Sequence, residues 1–125
     1  MRVLVDTSVW VAHFRQANAD LMELLDLEDA LMHPMVLGEV ACGTPPSRSQ
    51  TLSDLADLPS VQLAGTREVL AFVERERLFG LGCGLVDITL LASTLMTPDV
   101  ELWTFDKRLQ TLAERFGVLR RAKLH

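Results

Sequence analysis

Two acidic residues of this chain follow apolar runs that are typical of buried strands. Asp6 comes directly after VLV at residues 3–5, and Asp106 comes directly after LWTF at residues 102–105. In open sheets of parallel strands, ligands bind at the carboxyl ends of the strands. If the two runs are neighbouring parallel strands, their carboxyl ends share that edge. We therefore expect the two carboxylates to lie close together.

Two further acids lie in segments that should be helical and face the interior. Glu39 shares a helical face with Val36 and Val40, and Asp87 begins a helix in the most apolar stretch of the chain. Two carboxylates about 4 Å apart repel by roughly 4 kcal/mol at an effective dielectric typical of proteins. Protonation or a divalent cation must offset that repulsion. Oxygen ligands select a hard ion, Mg²⁺ or Mn²⁺, rather than zinc.

Each of these acids also has an ordinary structural explanation. Asp6 and Asp106 could cap the helices that follow them, and Asp87 could be an acid that stabilises a helix N-terminus. Glu39 could pair with a buried arginine. Taken singly, these explanations compete with a functional one. One shared acidic metal site explains all four positions together, and it is the hypothesis we adopt.

The elements that must position these acids alternate between short strands and helices. Strands are predicted at residues 2–5, 30–32, 61–63 and 100–105, with an edge strand at 118–119. Helices are predicted from residue 7 or 8, at 19–27, from 34, and around 52–58, 69–73, 87–96 and 109–116. Such alternation predicts an α/β fold with a parallel sheet.

Length and charge limit the possible functions. A chain of 125 residues predicts a single domain, residues 1–125, and 49% hydrophobic residues suggest a buried sheet and a subunit interface. The net charge of −5 argues against a large basic face for nucleic acid. Residues 107–125 nevertheless carry a net charge of +5. That segment could meet phosphate or an acidic partner, or it could be a solvated tail.

A membrane location is not favoured. Residues 78–98 are long enough to span a bilayer and contain one charge, Asp87. That charge costs roughly 2.5–3.5 kcal/mol at the bilayer centre. Glycines at 80, 82 and 84 interrupt the first half, so a flexible loop and a buried helix are expected. Neither Cys42 nor Cys83 belongs to a metal or redox motif, and no signal peptide is evident, so we predict a cytoplasmic protein.

Four segments, in order and spacing, resemble the PIN domain of VapC-type toxins. They are VDTSVW at residues 5–10, LGEV at 37–40, GLVD at 84–87 with LLA at 90–92, and WTFDKRL at 103–109. The resemblance covers essentially the whole chain, and its first and last segments are the most specific. One departure is that Ile88-Thr89 follows Asp87 where Ala-His is frequent in such toxins.

The resemblance implies a PIN-like, Rossmann-like short parallel sheet flanked by helices, and a metal-dependent endoribonuclease using Mg²⁺ or Mn²⁺. It also implies an RNA substrate, a cognate antitoxin, a homodimer, and products with 3′-hydroxyl and 5′-phosphate ends. Ser8 and Thr104 match hydroxyl positions beside the family's site. The positions that match the four acids of the family motif, and that are therefore the expected catalytic and metal-binding residues, are Asp6, Glu39, Asp87 and Asp106.

Two other functions fit part of the pattern. An aspartate-dependent phosphotransferase would use Asp6 as its nucleophile. Haloacid-dehalogenase-like phosphatases need a second Asp two positions later, where Ser8 stands, and receiver domains need paired acids after the first strand. A catalytically degenerate PIN-fold module would bind a partner without cleaving RNA, and the four intact acids argue against it. Trapping an aspartyl phosphate tests the first alternative, and a metal titration tests the second.

Overall fold

The strand β1, Arg2–Val5, is the centre of a three-stranded parallel sheet in the computed structural model, which describes residues 1–121. It pairs with β2, Ala30–Leu31, on one side and with β3, Val100–Trp103, on the other. The three apolar residues before Asp6 are completely buried, as expected for a central strand covered on both faces. The predicted α/β fold with a parallel sheet is confirmed.

Helices flank this sheet at every position where the sequence predicts one, with ends shifted by a few residues. Proline at the first position of the third helix has no N–H to satisfy, which suits a helix start. Within the described residues the helices are α1 Thr7–Arg15, α2 Ala19–Asp26, α3 Pro34–Ala41, α4 Arg48–Ala56, α5 Thr66–Glu76, α6 Leu85–Met96 and α7 Lys107–Arg115.

The helix α6 lies at the centre of the packing. Its residues 88–94 are all buried, and it contacts β3, α5 and α7. A helix that is buried all round is a core element, so the apolar stretch at residues 78–98 is explained without a membrane. Across residues 1–121, no helix is both long enough and apolar enough to cross a bilayer. Asp87 lies in the first turn of α6 and is half-buried.

The strand predicted at residues 61–63 does not form. The N–H of Gln62 donates to the hydroxyl of Thr97 at 2.9 Å, and the N–H of Ala64 donates to the hydroxyl of Ser93 at 3.1 Å. Side chains at the end of α6 therefore satisfy the donors that a strand would give to its neighbour. The prediction was wrong because a local apolar pattern does not show which partner takes the backbone hydrogen bonds.

The two remaining weak strands are shorter than predicted. Beyond β2, Met32 forms an isolated parallel bridge with Ser60. The segment after α7 contributes one parallel bridge between Leu119 and Leu102 of β3, so the predicted edge strand is reduced to a single pair. Lys123, which belongs to the basic C-terminal segment, lies outside the described residues.

Candidate active site

The carboxylate of Asp6 lies at the carboxyl end of β1 and is buried, with 6% of the residue exposed. Its Oδ2 accepts hydrogen bonds from the hydroxyls of Ser8 and Thr104, each at 2.7 Å. Asp6 occupies the N-cap position of α1, but its side chain makes no capping hydrogen bond. The helix-cap explanation of Asp6 is therefore wrong. Within residues 1–121, Oδ1 accepts no hydrogen bond and is free for a ligand.

The two hydroxyls also organise the backbone that follows β3. The N–H of Phe105 donates to Ser8 Oγ and the N–H of Asp106 donates to Thr104 Oγ1, each at 3.0 Å. The two hydroxyl oxygens are 3.3 Å apart. Because side chains take these donors, β3 ends at Trp103 rather than at the predicted residue 105. Both hydroxyl residues named from the sequence thus lie beside Asp6.

Asp106 follows this turn and begins α7. Its Oδ1 accepts the N–H of Leu109 at 3.0 Å, so the helix-cap explanation holds for one of its oxygens. Capping does not exclude a second role, because a carboxylate can accept several hydrogen bonds or bind an ion through its other oxygen. The backbone bond to Thr104 fixes the position of Asp106 relative to Asp6.

The pKa of Asp87 depends on burial and on the charges of the other three acids. Burial raises the pKa of Asp87 above its usual range, and the negative charges of Asp6 and Asp106 raise it further. A hydrogen bond from the Gly84 backbone opposes this change, and Glu39 adds a weaker upward effect. The charges of Asp6, Asp106 and Glu39 therefore all act on the carboxyl group of Asp87. Within residues 1–121, no basic side chain lowers the pKa of Asp87.

Glu39 is the most loosely held of the four acids. It is exposed on α3, and its Oε1 accepts the hydroxyl of Thr7 at 2.7 Å. The pairing with a buried arginine considered from the sequence was wrong. Sequence reasoning treated Thr7 as a helix-start residue and missed this contact. The available signal was its position, because a hydroxyl directly after Asp6 lies at the first position of α1.

The donor chemistry of the site fits a hard divalent cation, although the ligands are not arranged in advance. Across residues 1–121, no group of three or more His, Cys, Asp and Glu side chains is already converged for an ion. One oxygen of Glu39 and one of Asp106 accept hydrogen bonds from the protein. Oxygen ligands and uncompensated negative charge nevertheless match Mg²⁺ or Mn²⁺.

Apolar side chains are exposed in the segments that lead into Asp87 and Asp106. Phe79 and Leu81, in the glycine loop before α6, are 62% and 45% exposed. Phe105 is 46% exposed immediately before Asp106. Exposed apolar groups beside a polar site are typical of surfaces that bind partners or ligands.

Two histidines, His13 and His33, and both tryptophans have structural roles. Nδ1 of His13 accepts the N–H of Asn18, and Nδ1 of His33 accepts the N–H of Met35. Trp10 and Trp103 are buried in the core. Ile88 and Thr89, where the chain departs from the family pattern, are also buried, so the departure lies in the core.

A short parallel sheet with helices around it and acids at its carboxyl edge defines a PIN-like α/β protein. The chain is 44% identical over 116 residues to Ribonuclease VapC32 of Mycobacterium tuberculosis, from strain CDC 1551 / Oshkosh and from strain ATCC 25618 / H37Rv. The alignment covers 93% of this chain and 94% of each relative. No protein-family model matches the chain. The chain belongs to the VapC family of PIN-domain ribonucleases.

Proposed function

We propose that the protein is a Mg²⁺- or Mn²⁺-dependent endoribonuclease and the toxin of a type II toxin–antitoxin pair. The observation that carries this proposal is that Asp6 and Asp106 lie together at the carboxyl edge of the sheet, joined through the hydroxyl of Thr104. The 44% identity to a relative named Ribonuclease VapC32 supports RNA as the substrate.

The four acids would divide the work of holding the ion. Asp6 and Asp87 would hold the principal ion, and Asp106 and Glu39 would complete its surroundings through water or hold a second ion. When bound, the ion supplies Lewis-acid polarisation of the phosphate and lowers the pKa of a water molecule. The products would carry 3′-hydroxyl and 5′-phosphate ends.

The remaining residues would act by orienting these acids. The two hydroxyl bonds to Oδ2 hold the Asp6 carboxylate in one orientation and leave Oδ1 for the ion. The donors are Ser8 and Thr104, and groups that orient ligands in this way tune metal sites strongly. The hydroxyl of Thr7 would hold Glu39 beside them.

The partners in this proposal are RNA, a cognate antitoxin and a second copy of the chain in a homodimer. Exposed Phe79, Leu81 and Phe105 support a protein partner that covers the approach to the site. The cytoplasmic location and the single domain over residues 1–125 stay predictions from the sequence.

A catalytically inactive binding module is the second candidate. The observation that favours it is the lack of a preformed ion site among residues 1–121. Isothermal titration of Mg²⁺ or Mn²⁺ into the parent and into Asp6→Asn separates the candidates. If the protein is a nuclease, the ion should bind to the parent and bind more weakly to the variant. If it is a module that has lost its metal site, the ion should bind to neither protein.

The activity test uses total cellular RNA incubated with the purified protein. We expect no cleavage in EDTA, cleavage after addition of excess Mg²⁺ or Mn²⁺, and none with Asp6→Asn. Asp26→Asn is the matched control, because Asp26 ends α2 at the opposite, amino edge of the sheet. Full cleavage by the parent after exhaustive chelation would overturn the metal-dependent mechanism. Absence of cleavage under all conditions would overturn the nuclease itself.

A further inference from the structure

Arg108, in the first turn of α7, lies directly across the backbone of Gly82. A Cβ atom built on Gly82 would lie 2.6 Å from both Cδ and Nη1 of Arg108, and 2.9 Å from its Cζ. A side chain at position 82 would therefore displace the flexible end of Arg108 from this backbone. Gly82 also has a φ of +85°, a backbone conformation that favours glycine. The loop before α6 therefore provides a surface on which the arginine side chain lies.

The charge of Arg108 stands next to the acidic site. Burial raises the pKa of the Cys83 thiol, the charges of Asp87 and Asp106 raise it further, and the charge of Arg108 lowers it. The Cys83 thiol therefore lies close enough to the Arg108 guanidinium and to two of the four acids for their charges to change its pKa. Arg108 is exposed, so a ligand at the site can reach it.

The guanidinium is not already committed to those acids. Within residues 1–121, Arg108 takes part in no ion pair and no side-chain hydrogen bond, although Asp106 is only two residues away. An arginine that served only to neutralise the acids would be paired with one of them. Its five N–H donors are therefore available for a planar or tetrahedral anion, which arginine binds through two parallel hydrogen bonds.

We propose that Arg108 binds a backbone phosphate of the RNA substrate beside the acidic site, and that Gly82 is the positioning residue that allows it to lie there. The inference rests on the proposed ribonuclease function. A strand of RNA must bring negative charge up to four acids on a protein of net charge −5. A free guanidinium at the edge of that site offsets the repulsion where the strand enters.

The test measures initial rates of cleavage of a short RNA taken around a site that the parent cleaves in cellular RNA. Arg108→Ala should raise KM about 10-fold, because one charge-assisted phosphate contact is lost. The dependence of log KM on log salt should fall by about 0.7, the value for one phosphate contact on a single strand. Arg67→Ala, which removes an exposed arginine from α5, controls for net charge and should change KM much less.

The glycine loop supplies a second, matched pair of variants. Gly80 also has a positive φ, +72°, but a Cβ built there meets nothing within 4 Å. Gly80→Ala and Gly82→Ala should therefore lower the melting temperature similarly. Only Gly82→Ala should raise KM, and it should add nothing to the KM of Arg108→Ala, as expected if both changes remove one interaction.

The outcomes separate this inference from the proposed function. If the parent cleaves no RNA, the proposed function fails. If the parent cleaves RNA and Arg108→Ala keeps the parent's KM and salt dependence, the role of Arg108 is overturned while the ribonuclease stands. If Gly80→Ala raises KM as much as Gly82→Ala, the loop rather than the arginine governs binding, and the role of Gly82 is overturned.

Discussion

The hydroxyl of Thr104 donates a hydrogen bond of 2.7 Å to Oδ2 of Asp6 and thereby joins the carboxyl ends of β3 and β1. The hydroxyl oxygen of Thr104 also accepts a hydrogen bond from the N–H of Asp106, at 3.0 Å. One buried side chain therefore sets the positions of two of the four acids relative to each other. Of its two neighbours in sequence, Trp103 is buried in the core and Phe105 is about half exposed.

Thr104→Val keeps the shape of this side chain and removes its hydroxyl. A buried carboxylate then loses one donor, and a backbone N–H loses its acceptor. We expect the free energy of unfolding to fall by about 1–3 kcal/mol, the usual cost of unsatisfied buried polar groups. RNA cleavage should fall as well, because Asp6 and Asp106 are no longer held together. Urea denaturation and initial cleavage rates measure the two effects.

Thr94→Val is the control for this substitution. Thr94 is as deeply buried as Thr104, at 1% exposure for each. Its hydroxyl donates only to the carbonyl of Leu90, at 2.8 Å, one turn earlier in α6. The control should lose less stability and keep its cleavage rate. Equal losses of activity in the two variants would show that Thr104 has no special connection to the site.

The central strand and the buried helix α6 could be predicted from the sequence because the patterns that indicate them are local. The run before Asp6 is apolar and mostly β-branched, and β1 forms at the predicted residues 2–5. The apolar stretch around residues 88–94 is a buried helix, as the glycines before it indicated. Where one local pattern indicated both the type of element and its burial, the structure confirmed the prediction.

Features that depend on a distant partner were not predictable. The backbone of residues 61–64 bonds to side chains of α6, and no local pattern distinguishes that segment from a strand. The contact between Thr7 and Glu39 joins α1 to α3 across 32 positions. The close approach of Arg108 to Gly82 likewise depends on how α7 meets the glycine loop.

The toxin proposal leads to a prediction in living cells. Expression of the parent without an antitoxin should arrest bacterial growth, and Asp6→Asn should relieve the arrest, because it removes one negative charge from the acidic site. Growth curves and immunoblots measure arrest and protein level together. Asp26→Asn, at the opposite edge of the sheet, should arrest growth like the parent. Normal growth with abundant, folded parent protein would contradict the toxin proposal.

His33 makes stability depend on pH. Burial lowers the pKa of His33 below its usual value. Its Nδ1 accepts the N–H of Met35 at 3.0 Å, which requires that nitrogen to be unprotonated. Below about pH 6.5 the unfolded chain binds a proton at this histidine, whereas the folded chain resists binding it. Folding stability is therefore unaffected above that pH and is lost as the pH falls below it, by at most about 1.4 kcal/mol per pH unit.

His33→Asn isolates this effect. Asparagine does not titrate and is a good N-cap residue, so it can accept the same backbone N–H. The variant should be less stable at pH 8, because the smaller side chain leaves a cavity in the core. Its disadvantage should shrink between pH 6.5 and pH 5, as measured by urea denaturation at each pH. If the free energy of unfolding changed equally with pH in the two proteins, His33 would not be the source of the pH dependence.

Asp87→Asn tests whether the four acids share one site without any appeal to family. The pKa of Asp87 is raised by burial and then by the charges of Asp6 and Asp106. Ionisation of Asp87 therefore costs no stability below its ordinary pKa of 3.8, and the cost grows as the pH rises from there to the higher pKa of the folded protein. In EDTA at pH 7, Asp87→Asn should be at least as stable as the parent. The gain should be about 1 kcal/mol or less, since solvent screens partly exposed charges.

Excess Mg²⁺ or Mn²⁺ should invert that order. A ligand that binds only the folded state stabilises it by about 2.7 kcal/mol at 100 times its dissociation constant, and the variant should bind the ion more weakly. If Asp87 only stabilises the start of α6 through its hydrogen bond to Gly84, asparagine replaces it well. The melting temperatures of both proteins should then be unaffected by the ion. Thermal melts of the parent, Asp87→Asn and Asp26→Asn, each in EDTA and in excess metal, distinguish these cases. A parent whose melting temperature does not respond to either ion, beside an Asp87→Asn variant that behaves identically, would refute the shared acidic site.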